Sequence, residues 1–99
     1  MKKKVLGYGA STKGNVILQY CKIDDSLIPF VGEVNKFKFN KYTPGSKIKI
    51  ISEHKARSME PDYFLVLPWH FKNFIINKEK NYLSKKGKLI FPLPDIEII

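Results

Sequence analysis

The run Val5-Leu6-Gly7-Tyr8-Gly9-Ala10-Ser11-Thr12-Lys13-Gly14-Asn15 concentrates the residues best suited to handle a ligand. A short apolar strand leads into paired glycines, then hydroxyls, then a helix-forming segment. That is the layout of a loop that brings backbone N–H groups against a phosphate or another part of a nucleotide. Gly7 and Gly9 admit backbone angles closed to other residues and let a ligand approach closely. Ser11 or Thr12 is placed to cap the following helix, with Asn15 in its first turn. Lys13 adds charge attraction for a phosphate, and Tyr8 stands between the two glycines. The G-x-x-x-x-G-K-[ST] spacing of a Walker loop is absent. A tight strand-to-helix turn with no ligand fits the same residues, and that alternative stays open at this point.

Other candidates are sparser. Glu33 falls about two dozen residues beyond Gly9, near where dinucleotide-binding folds place the acid that holds a ribose. A solvated strand-end carboxylate is the plain alternative. Tyr42 and Thr43 stand in a long loop beside Pro44-Gly45, where an aromatic is more often a packing anchor than a base-stacker. His70 sits at a strand end beside Trp69, the only tryptophan, and is the weak candidate for proton transfer. His54 lies in a lysine-rich segment and reads as exposed. No serine–histidine pairing or second acid completes an active site, so no catalytic residue is assigned. Cys21 is the single cysteine, which excludes an internal disulfide and leaves no zinc cluster to build.

Positioning these residues falls to one domain spanning residues 1–99, with no repeat or evident linker. Lys3–Tyr8 reads as a first strand. Thr12 to Cys21 reads as a helix with a stripe of Val16, Ile17, Tyr20 and Cys21. Leu27–Val34 is a second strand, Thr43-Pro44-Gly45 a turn, and Lys47–Ile51 a short third strand. Ser52 caps a brief helix through Met59, which Pro61 ends. Tyr63–Leu67, the most hydrophobic run, is a buried central strand. A single helix from His70 to Lys86 follows, with Phe71, Phe74, Ile75 and Tyr82 on its packed face and Gly87 at its C-cap. Lys88–Phe91 gives a fifth strand, Pro92-Leu93-Pro94 breaks it, and Ile96–Ile99 adds an edge strand.

Strand and helix thus alternate, which predicts an α/β, three-layer Rossmann-like domain with a mainly parallel sheet of about five strands in the order 3-2-1-4-5. Ligands of such sheets gather at the carboxyl ends of the strands. Tyr8–Asn15, Glu33-Val34-Asn35, Pro68-Trp69-His70 and Pro92-Leu93-Pro94 should therefore line one edge.

The net charge of +9 invites a nucleic-acid partner, but Arg57 is the only arginine. Lysine-rich solvated faces account for the excess, and the residue that forks onto phosphates and guanine edges is nearly absent. No segment approaches the ~20 apolar residues of a membrane span. Lys2-Lys3-Lys4 precedes only Val5 and Leu6 before glycine, which is not a signal peptide, so the cytoplasm is the default compartment. A free edge strand leaves a homodimer open.

Four ordered motifs carry a resemblance: Gly7 through Asn15, then Tyr42-Thr43-Pro44-Gly45, then Pro61-Asp62-Tyr63 with Leu67-Pro68-Trp69-His70-Phe71-Lys72, then Phe91-Pro92-Leu93-Pro94. Together they resemble the C-terminal domain of bacterial sugar C-methyltransferases across nearly the whole chain. Glu33-Val34-Asn35-Lys36 and Trp69-His70-Phe71-Lys72 depart from the family's usual runs. The resemblance implies an enzyme in which a base removes the proton beside the ketone of a nucleotide-linked sugar. The enolate then attacks the methyl group of S-adenosylmethionine. It further implies that a separate methyl-donor-binding domain, in cis or trans, carries the main acid–base groups. This domain would help hold a nucleoside-diphosphate keto-sugar, bind no cofactor itself and be inactive alone. The substrate-binding residues so implied are Gly7, Tyr8, Gly9, Ser11, Thr12, Lys13 and Asn15, with Glu33, Tyr42, Trp69 and His70 behind them. A free-standing NAD- or nucleotide-binding regulatory module is the alternative.

Overall fold

Two-residue alternation along the strands sends Leu6, Tyr8, Phe64, Val66, Leu89 and Phe91 to one face of a sheet. It sends Val31, Leu65 and Leu67 to the other. The computed structural model describes residues 4–93 and 95–99, and within them it leaves aside the side chains of Thr12 and Lys13. Lys3 and Pro94, expected in a strand and a strand break, lie outside the described residues.

The strands are β1 (Val5–Tyr8), β2 (Phe30–Glu33), β3 (Lys49–Ser52), β4 (Tyr63–Val66), β5 (Lys88–Phe91) and β6 (Glu97–Ile98). They form one six-stranded sheet in the order β3-β2-β1-β4-β5-β6. All neighbours pair in parallel except β5 and β6, whose antiparallel register sets Ile90 opposite Ile98. Leu6 is paired with Phe64 and Gly7 with both Val31 and Leu65, which places β1 at the centre of the sheet. The α/β architecture, the strand order and the C-terminal edge strand all follow the expectation.

Helix α1 (Thr12–Tyr20) covers one face, while α2 (Glu53–Ser58), α3 (Lys72–Lys78) and α4 (Lys80–Ser84) cover the other. Ser11 is the N-cap of α1, its Oγ accepting from Gly14 N–H at 3.0 Å, and Ser52 caps α2 in the same way through Lys55 N–H at 3.0 Å. Two expectations need correction. The buried stripe of α1 is Gly14 and Leu18, not Val16, Ile17, Tyr20 and Cys21, since Val16 and Tyr20 are largely exposed. A glycine gives no hydrophobic signal, so periodicity selected the wrong face.

The expected helix from His70 to Lys86 is also divided. A 3-10 turn over Trp69–Phe71 precedes α3, and Glu79, at ψ 26°, separates α3 from α4. Hydrogen bonds from Glu79 N–H to Ile75 and from Leu83 N–H to Glu79 continue across the break, which is why the pattern reads as one helix. Ile75 and Tyr82 do pack on the core, whereas Phe71 and Phe74 stand 56% and 68% exposed. The left-handed residue after α4 is Lys86, at φ 71°, rather than Gly87. Gly87 instead lies under the Tyr82 ring, where an added Cβ would come within 2.3 Å of Cζ.

The exit from α1 is a Schellman motif. Ile23 N–H donates to Leu18 C=O at 2.8 Å and Lys22 N–H to Gln19 C=O at 3.1 Å, with Ile23 packed on the Leu18 cluster. Lys22 holds φ 56°, a conformation that strains an L side chain by about 1–2 kcal/mol. Glycine removes that strain but loses more backbone freedom on folding. Lys22→Gly should therefore raise stability by about 0.5–1 kcal/mol in urea unfolding.

Candidate functional site

The carboxyl ends of β1, β2 and β4 open onto a cavity of about 390 Å³. The glycine loop forms one wall through Tyr8, Gly9, Ala10 and Ser11, with Glu33, Val34 and Glu53 beside it. Pro68, Phe71, Phe74, Ile75 and Lys78 close the other side. Tyr8, Gly9, Ser11 and Glu33 are thus brought together as the strand-end rule requires. Pro92 and Leu93 do not line this cavity, because β5 lies beyond β4 and away from β2.

The loop is held tightly. Gly9 is left-handed at φ 80°, and its N–H donates to Gly32 C=O at 2.7 Å. Ala10 N–H donates to Glu33 Oε1 at 2.8 Å, and Lys38 Nζ donates to Ala10 C=O at 2.7 Å. Ser11 N–H turns back to Gly9 C=O at 3.1 Å. Three successive loop amides therefore bond within the protein. Gly7 serves a different end from the one its spacing suggested. It sits inside β1 outside the left-handed region, and an added Cβ would meet Val31 Cγ2 at 2.7 Å.

Glu33 is buried, and its carboxylate accepts three backbone N–H groups, from Ala10 at 2.8 Å, Val34 at 3.0 Å and Asn35 at 2.8 Å. It ties the glycine loop to the end of β2. Asn15 faces a smaller cavity of about 150 Å³ on the other side of the loop, which it shares with Ser11, Thr43 and Pro44. Its Oδ1 accepts from Ser46 Oγ at 3.3 Å, and Gln19 Nε2 donates to Pro44 C=O at 2.8 Å, so α1 anchors the Thr43-Pro44-Gly45 turn.

Tyr42 is 60% exposed, beside β3 through a bridge to Lys49, and lines neither cavity. Trp69 packs against the core and lines neither cavity. His70 is exposed between the Trp69 and Phe71 rings, outside both linings. The side chains of Thr12 and Lys13, which were among the expected ligand contacts, lie outside what the structure describes.

Sequence reasoning missed the charged network that joins the lining residues Tyr8, Glu53 and Lys78 to Arg57 and Glu79, which lie outside the lining. Tyr8 Oη donates to Glu79 Oε2 at 2.7 Å, and Arg57 grips Glu79 with Nε at 2.8 Å and a terminal nitrogen at 2.6 Å. The same nitrogen bonds Glu53 at 2.7 Å, and Lys78 Nζ stands 3.0 Å from Glu53. Burial acts to raise the Glu79 carboxyl, but Arg57 and Tyr8 hold it below its ordinary value. Burial and the Glu79 carboxylate both push the Tyr8 hydroxyl up, so it stays protonated. Glu53 and Arg57 show as an i,i+4 pair in the sequence, but Glu79 is 22 residues from Arg57 and only the tertiary fold joins them.

The profile of a family described as the C-methyltransferase C-terminal domain matches residues 1–94. The C-methyltransferase NovU of Streptomyces niveus is similar, with 39% identity over 97 residues. That match takes in 98% of this chain and 23% of NovU, so the chain spans under a quarter of the curated relative's length.

Proposed function

The chain belongs to the family of C-methyltransferase C-terminal domains, and from that we propose that it binds and orients a nucleoside-diphosphate keto-sugar for a methyl-donor-binding domain. The observation that carries this reading is the cavity at the strand carboxyl ends, framed by the glycine loop and α3. Orientation of a reactant against a second group lowers a barrier by several kcal/mol when the geometry is right.

The domain is not catalytic alone in this reading. Removing the proton beside a ketone needs a base within reach of it. The acids of the cavity, Glu33 and Glu53, are engaged by backbone amides and by Arg57 and Lys78, while Tyr8 keeps its proton. His70 lies outside the lining. S-adenosylmethionine, the methyl source of the full enzyme, does not suit these residues. Binding a ribose by a strand-end acid needs a carboxylate free to accept hydroxyls, and Glu33 already accepts three N–H groups. The same observation disfavours an NAD-binding regulatory module. Among the described residues no helix is long and apolar enough to cross a membrane.

An amide-resolved NMR titration with deoxythymidine diphosphate glucose tests the reading, with NAD and S-adenosylmethionine as controls. Saturable shifts along Tyr8–Asn15 and α3 with the nucleotide-sugar alone are expected. Shifts produced by NAD or S-adenosylmethionine instead, or by none of the three, would overturn it.

A further inference from the structure

We infer that the cavity between the glycine loop and α3 receives the flat base of the nucleotide, leaving the diphosphate and keto-sugar to project outward; this rests on the nucleotide-sugar reading above. The argument begins with what the cavity can offer a ligand. Its polar side chains already have partners. Tyr8 Oη donates to Glu79, Glu33 accepts three amides, and Glu53 is held by Arg57 and Lys78. Ser11 Oγ accepts from Gly14 N–H. The amides of Gly9, Ala10 and Ser11 also bond to protein oxygens. A keto-hexose presents several hydroxyls, and a diphosphate presents charged oxygens. Either would lose hydrogen bonds to water here and find few replacements.

A base differs in having two apolar faces. The cavity walls are Val34, Pro68, Ile75 and the rings of Phe71 and Phe74. Those two phenylalanines are more than half exposed although they adjoin a core that buries Phe64 and Phe91. Exposure of neighbouring aromatics at the mouth of a cleft marks a surface that an apolar partner covers. A volume of about 390 Å³ accommodates a base with part of its ribose. Stacking on an aromatic side chain supplies the attraction for the ring.

The test titrates the chain with deoxythymidine monophosphate and, separately, with glucose 1-phosphate, which carries sugar and phosphate but no base. The nucleotide should shift the amides of Val34, Ile75 and Lys78 and give NOEs between the base and the Phe71 and Phe74 rings; glucose 1-phosphate should leave those signals in place. Phe74→Ala, a change at an exposed site, should weaken nucleotide binding about tenfold with the fold intact. Glucose 1-phosphate moving the cavity signals, or unchanged affinity in Phe74→Ala, would overturn the assignment. If deoxythymidine diphosphate glucose binds but its shifts fall outside the cavity, the base placement fails while the substrate reading stands. If no nucleotide or sugar phosphate binds, both fail.

Discussion

Glu79→Ala should remove about 3–5 kcal/mol of folding stability, read as a lower midpoint in urea unfolding. A domain of this length has on the order of 5–15 kcal/mol in total, so the loss is a large part of it. The magnitude follows from what alanine leaves behind. Glu79 is 2% exposed and accepts from Tyr8 and from Arg57 through two nitrogens. Without it the Tyr8 hydroxyl has no acceptor in a buried site and Arg57 keeps only Glu53. Arg57 retains some contact with solvent, which places the expected cost toward the lower end of the range. The double change Arg57→Met with Glu79→Leu removes both charges and should recover much of the loss. A double variant as unstable as Glu79→Ala would show that the unpaired Tyr8 hydroxyl, and not an uncompensated charge, sets the cost.

The same network fixes the response to acid. Glu79 has its carboxyl held below the ordinary 4.5, so over that window the unfolded chain binds the proton more readily than the folded one. Its contribution is therefore complete above about pH 5 and is lost as pH falls below about 4.5 and through the folded-state value. Asp24 is also held low, by Ser26, and adds an acid-side slope of its own. The slope from Asp24 persists in Glu79→Gln, whereas the part due to Glu79 disappears. An unchanged pH profile in that variant would separate Glu79 from the acid response.

How far the sequence reached depends on which interactions are local. The caps Ser11 and Ser52 and the break at Pro61 are set by neighbours within a few residues and lie where the pattern places them. The second and third strands, by contrast, begin at Phe30 and Lys49, later than the expected Leu27 and Lys47. The cavity residues Tyr8, Gly9, Ser11 and Glu33 were legible because strand order alone brings those strand ends together. Their partners were not. Glu33 reads as a ribose acid by spacing, and only the folded loop shows three amides aimed at it. Phe71 and Phe74 fit a helical apolar stripe with Ile75, but only the fold shows that this stripe faces the cleft, with both rings left more than half exposed. Glu79 carried no signal at all, since its partners come from β1 and α2.

Gly14→Ala shows why a glycine pattern alone does not prove a ligand. An added Cβ would lie 2.2 Å from Leu67 Cβ and 2.9 Å from Leu67 Cα, with Ser11 Oγ also at 2.9 Å. Backbone cannot swing aside as a flexible side chain can, so α1 must lift from the end of β4. Overpacking of this kind costs about 1–3 kcal/mol and sometimes more. Alanine returns up to about 1 kcal/mol through its better helix propensity. The clash is severe enough to win, and a net loss of about 2 kcal/mol is expected in thermal or urea unfolding of the ligand-free chain. At a glycine kept only to admit a ligand the same substitution would act in the opposite way, stabilising the free protein and weakening binding. Gly9 is bound by similar constraints, since its left-handed φ and the Pro68 ring at 2.7 Å make Gly9→Val a change to the fold as well as to any site. The spacing of Gly7, Gly9 and Gly14 is thus required first by the packing of β1 and α1 against their neighbours. A ligand at the cavity meets a loop that this packing has already shaped.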